Sequence, residues 1–118
     1  MITKYQCVNI SSKDPQALVE FYNSKLGIPI LEPDENYDGV SLGFLKDAPV
    51  IVIWDENKWG RSSEGKINFV FACDDLDQTY VELRGKGVNL APPTTAVWGG
   101  KELPLLDLDG NKILLLES

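Results

Sequence analysis

Two cysteines, Cys7 and Cys73, are the thiols of this 118-residue chain, and the sequence contains no histidine. A thiol acts as a nucleophile through its thiolate, so without an imidazole to take the proton, cysteine-based catalysis is disfavoured. The same absence removes the commonest ligand of catalytic zinc and of other divalent transition metals. Two cysteines make no disulfide framework, so reduced thiols and a cytoplasmic location are expected. Asp and Glu number 18, but no spacing singles out an acid–base pair, and most read as solvated surface. The glycine-rich stretches lack the spacing of phosphate-binding loops. What remains are amides and indoles. Asn9 and Asn68 can donate and accept at once, and Trp54, Trp59 and Trp98 offer flat walls. The formal net charge is −7, which disfavours nucleic acid and attracts cations at long range.

The elements that would position these groups follow from periodicity and punctuation. Residues 3–11 read as a strand. Asp14 suits an N-cap and Pro15 the first helical position, and Ala17, Leu18, Phe21, Tyr22 and Leu26 then recur on one helical stripe until Gly27 stops it. Short strands are expected over 28–31, with Pro29 marking a sheet edge, then over 40–45 and 50–54. Asp55 to Gly65 is polar and glycine-containing and reads as a linker, with Trp59 inside it. After the linker the order repeats. A strand over 66–73 leads to Asp75, a second N-cap with Gln78 completing a capping-box pattern. Leu76, Tyr80 and Leu83 mark the buried helix face before Gly85 and Gly87 end it. Strands are expected over 88–91 and 102–106, with 92–95 a loop. Asp107-Leu108-Asp109-Gly110-Asn111 is a hairpin turn, and 112–117 a strand buried on both faces. At one shift Asp14 falls on Asp75 and Val8 on Phe69, and a slip of one residue brings Gly27 onto Gly87. Each half reads strand–helix–strand–strand–strand, the pattern of a duplicated unit.

Length and composition fit one compact domain, with 43% hydrophobic and 25% charged residues as in ordinary globular chains. No run is long and apolar enough to cross a membrane as a helix, and the opening residues do not form a signal peptide. No membrane partner is expected.

Asp14 with Phe21-Tyr22 and Leu26-Gly27 resembles the "D…FY…LG" signature opening the vicinal-oxygen-chelate superfamily, which includes glyoxalases, bleomycin-resistance proteins and dioxygenases. Phe69 to Leu76 resembles the start of its second module. Trp98-Gly99-Gly100 and Asp107 to Asn111 resemble its "WG…DPDGN" ending, with Leu108 where proline is usual. The resemblance implies an α+β fold, two paired βαβββ modules forming an incomplete barrel, and homodimers in many members. The expected modules are residues 1–58 and 64–118 of a single domain, joined by 59–63.

Enzymes of the family carry metal ligands on the first and last strands of each module. Carried over by motif, those positions fall on Cys7, Ile53, Asn68 and Leu114. Two are aliphatic, so no metal and no other cofactor are expected. Strand alternation places Cys7 and Asn9 on one face, and Asn68, Val70 and Ala72 with Leu114 and Leu116 on another. Cys7, Asn68 and Leu114 are expected to point into one cavity. The expected ligand-binding set is Cys7, Asn9, Ile53, Trp54, Trp59, Asn68, Val70, Trp98 and Leu114. The function implied is metal-independent binding of a planar or cationic small molecule such as an antibiotic, by a homodimer. A metal-dependent lyase or dioxygenase and a ligand-free dimeric interaction module are the alternatives.

Overall fold

The structure is a computed structural model that describes residue 3 and residues 6–61, 68–96 and 99–117. Contacts gather into two units, Met1–Gly65 and Lys66–Ser118. In the first unit the strands are β1 (Val8–Ser12), β2 (Ile30–Glu32), β3 (Val40–Leu42) and β4 (Ile51–Asp55), ordered β1-β4-β3-β2. In the second they are β5 (Asn68–Cys73), β6 (Thr94–Thr95), β7 (Lys101–Leu106) and β8 (Lys112–Glu117), ordered β5-β8-β7-β6. Each sheet is mixed: the first and last strands pair parallel and the others antiparallel. Each unit is a βαβββ arrangement, as the repeat in the sequence predicts.

Helix α1 (Pro15–Glu20) begins where expected. The Asp14 carboxylate accepts the Ala17 N–H at 3.1 Å, and Pro15 follows it. The helix then widens into a π turn over Phe21–Lys25, where the Leu26 N–H reaches back to the Phe21 carbonyl at 3.1 Å. Gly27 ends it at φ +79°. Leu18, Val19, Phe21 and Tyr22 are buried with Ile10, Ile51 and Ile53, and form the core of this unit against β1 and β4.

Helix α3 (Leu76–Gly85) is capped twice. Asp75 accepts the Gln78 N–H at 3.0 Å, and Glu117 at the end of β8 accepts the Leu76 N–H at 2.8 Å. The capping box is half made: the Gln78 amide turns forward to Glu82 at 3.4 Å, and the Asp75 N–H is taken by Asp74 at 2.9 Å. Leu76 and Leu83 pack over β7 and β8, where Leu103, Leu105, Ile113 and Leu115 are buried.

Three expectations are corrected. Residues 88–91 form no strand. Pro92 and Pro93 follow without ladder donors, and pairing starts only at Thr94 opposite Glu102. The linker begins with a helical turn, α2 (Glu56–Trp59), capped by Asp55 on the Asn57 N–H at 2.9 Å. The strand β8 is buried on one face only, with Ile113 and Leu115 inside and Leu114 and Leu116 half-buried. The hairpin before it is held by buried Asp107, which accepts from the Asp109 and Asn111 N–H groups at 2.9 Å and from the Asn111 amide at 2.7 Å.

Candidate functional site

Register decides which residues share a face. In the first unit Asn9 pairs with Val52 and Ile10 with Ile53. Neighbours across a ladder lie on the same side, and sides alternate along a strand. Asn9, Val52 and Trp54 therefore face away from α1, and Ile10 and Ile53 face it. Fully buried Ile53 is thus removed from the candidate site. In the second unit the equivalent pair is Val70 with Leu114, so the first-unit counterpart of Leu114 is Val52, one residue from the expected position.

The open face of the first sheet is organised around Asn9. Its side-chain oxygen accepts the Trp54 indole N–H at 3.0 Å and the Cys7 thiol at 3.6 Å. The Trp54 ring lies on Gly39, where an added Cβ would come within 3.0 Å of Cζ3; Gly39 also sits at φ +95°. Trp59, 62% exposed, meets Trp54 edge to face, with ring centroids 6.5 Å apart and planes at 84°. Its indole N–H donates to both carboxylate oxygens of Asp38 at 3.0 Å. Asp38 also accepts the Asp55 N–H at 3.1 Å and pairs with the Lys58 ammonium at 3.5 Å. The Asp55 N–H, chiefly, holds the Asp38 carboxyl below its ordinary pKa; Trp59 and Lys58 add to this, against partial desolvation. Lys58 lies 5.0 Å over the Trp59 ring. Two indoles are thus fixed at a right angle, a geometry suited to planar ligands. Lys58 already supplies a cation to one of them.

The open face of the second sheet carries Asn68, Val70 and Ala72 on β5 with Lys112, Leu114 and Leu116 on β8. Pro104 and Leu106 adjoin them on β7. A cavity of about 360 Å³ lies at the end of this sheet where Asn68, Lys112 and Leu106 stand, lined by these residues with Pro104, Leu114 and the neighbouring Leu105 and Ile113, a volume within the range of small-molecule pockets. Val70 is 55% exposed on the same face.

Of the nine expected residues, Cys7, Asn9, Trp54 and Trp59 cluster in the first unit. Asn68 and Leu114 line one cavity of the second, and Val70 shares their face. Ile53 is in the core, and Trp98 lies outside the described residues. Asp38, Gly39, Lys58 and Lys112 were missed. Asp38-Gly39 has the sequence of a turn, and its bond to Trp59, 21 residues away, leaves no local trace.

The family's enzymes imply a divalent metal, and the donor set tests the fit. The open-face positions on the paired first and last strands are Cys7, Asn9, Val52 and Trp54 in one unit and Asn68, Val70, Leu114 and Leu116 in the other. With Ser11 beside Trp54 and with Ala72 and Lys112 on the second face, they provide a thiol, a hydroxyl, two amides and an ammonium, with no carboxylate and no imidazole, and do not fit such an ion. Among the described residues no group of three or more His, Cys, Asp or Glu side chains is placed to hold a metal.

Two βαβββ units, each with its main helix, α1 or α3, packed against a mixed four-stranded sheet, define an α+β fold of the vicinal-oxygen-chelate kind. The chain belongs to the Glyoxalase/Bleomycin resistance protein/Dioxygenase superfamily, whose family model matches residues 4–115. It is 29% identical to the Bacillus subtilis (strain 168) protein YetH over 123 residues, covering 99% of this chain and 100% of that one. Similar solved structures include lactoylglutathione lyase from Agrobacterium tumefaciens, with TM-score 0.77, 15% identity and coverage of 99% and 95% of the two chains. Another is TnmS3, an antibiotic binding protein from Streptomyces sp. CB03234, with TM-score 0.76, 22% identity and coverage of 98% and 96%. These likenesses show the fold. No helix among the described residues is long and apolar enough to cross a membrane.

Proposed function

We propose that this chain is a metal-independent binding protein that sequesters a planar small molecule, such as an antibiotic. The observation that carries the reading is the donor set: the positions where the family's enzymes bind metal hold Cys7, Val52, Asn68 and Leu114, while indoles and apolar side chains face outward beside them. A divalent ion against Val52 and Leu114 would have its charge largely uncompensated. A planar molecule on Trp54, Trp59 or the Leu114 face would exchange water for apolar contact. The description of TnmS3 as an antibiotic binding protein agrees with this reading. The protein acts as a homodimer in the cytoplasm, its sheet edges and exposed Phe44 and Leu45 offering surface for a second copy.

Tryptophan fluorescence titrated with a panel of planar aromatic compounds tests the function, beside metal analysis of protein purified without added metal. Saturable quenching unaffected by a chelator is expected, with metal far below stoichiometric. Stoichiometric Zn, Ni, Mn or Fe, lost together with binding or turnover on chelation, overturns the reading. Sedimentation at micromolar concentration tests the dimer.

A further inference from the structure

The open face of the second sheet is polar at its ends and apolar between them. Lys112 stands at one end, opposite Asn68 on β5 and Leu106 on β7. Glu102 stands at the other, opposite Leu116. The four steps from Lys112 to Leu116 span about 13 Å along the strand. Pro104 and Leu114 form one rung between the ends, and Val70 pairs with Leu114 on its other side.

The polar groups at the Lys112 end are unspent. Among the described residues Lys112 makes no ion pair and the Asn68 side chain no hydrogen bond. Both line the cavity with Pro104, Leu106 and Leu114. An ammonium and an amide on adjacent strands at the mouth of an apolar cavity can bind an anionic oxygen group, the ammonium by charge and both by N–H donation. The carboxylate of Glu102 repels a second negative charge at the far end. The chain's net charge of −7 likewise disfavours polyanions.

Resting on the reading of this protein as a small-molecule binder, we propose that the cavity at Asn68 and Lys112 takes the head of a monoanionic amphiphile, a carboxylate or sulfonate. Its apolar body lies along Pro104, Leu114 and Val70. The body supplies most of the affinity, and the head supplies orientation and a smaller share of the affinity.

Two probes with nearly the same body separate these contributions: anilinonaphthalene sulfonate, a monoanion, and N-phenylnaphthylamine, which lacks the sulfonate. Binding is followed by fluorescence enhancement and located by amide chemical-shift changes. The sulfonate is expected to bind about fivefold tighter than the neutral probe, the scale of one partly exposed charge pair. Shifts should fall on residues 68–70, 104–106 and 112–114. Lys112→Met should remove the fivefold advantage, and a far-ultraviolet circular dichroism spectrum matching the parent's reports that the variant is folded. Lys112→Arg should retain the advantage. Equal affinities for the two probes, or a sulfonate affinity indifferent to Lys112→Met, overturn the anionic head while leaving a binding protein. Shifts elsewhere overturn the location. If neither probe binds, the inference fails, and the tryptophan titration with planar compounds decides the binding function separately.

Discussion

Replacing Gly39 with alanine attacks the support of the indole pair while leaving both indoles in the sequence. The cost has two parts. An L-residue at the φ of +95° seen here is strained, by about 1–2 kcal/mol. The new methyl would lie 3.0 Å from Trp54 Cζ3, and relieving that overlap costs about 1 kcal/mol more. The ring can retreat only by loosening its N–H bond to Asn9 and its edge contact with Trp59. Gly39→Ala should therefore destabilise the protein by about 2–3 kcal/mol in total. The two parts separate in a double-mutant cycle, because Trp54→Leu removes the overlap and leaves the backbone strain. Urea unfolding followed by circular dichroism, with unchanged denaturant slope, would read each corner. Gly39→Ala in the Trp54→Leu background should cost about 1 kcal/mol less than in the parent. A loss below about 0.5 kcal/mol in the parent, or equal losses in both backgrounds, would refute the reasoning.

Asp75→Ala removes the cap on α3 and should cost about 1 kcal/mol in urea unfolding, while Asp75→Asn should recover most of it. The folded pKa of Asp38 lies below its unfolded value, so the stability it contributes is complete above about pH 4 and is lost as pH falls through the lower folded value. Acid should therefore release Trp59 and change its emission only below pH 4, and a Trp59→Phe control should lack that change. Burial chiefly, with the nearby carboxylates of Asp74 and Glu117, raises the Cys73 thiol above its ordinary pKa, against a hydrogen bond with Thr79. In a Cys7→Ser variant, iodoacetamide should alkylate Cys73 at pH 8 more slowly in the folded chain than in urea. Equal rates would contradict the burial of that thiol.

The helix starts were readable because they depend on local chemistry. Asp14-Pro15 and Asp75 cap helices in the structure as their spacing predicts, and Asp107 to Asn111 turns the final hairpin. The face of β5 was readable because buried Phe69 lies between exposed Asn68 and Val70. On β4 that signal is missing. Ile51, Val52 and Ile53 are all apolar and all buried, so periodicity offers no face, and Ile53 was assigned one residue off. The π turn after α1 has no residue signature here. Asp38 entered the site through partners in α2 and β4 that only the folded chain brings near.

Each unit closes by pairing its first strand with its last, Val8 with Ile51 and Asn68 with Lys112. During synthesis the first strand must therefore wait for chain made roughly 40 residues later, a delay of seconds at ribosomal rates. Until then β1 and β5 have unpaired backbone edges, and β5 also has Phe69 uncovered. Substitutions that weaken β4 or β8 should prolong that exposed interval, and their damage would appear as lost soluble yield before it appeared as a lower melting temperature.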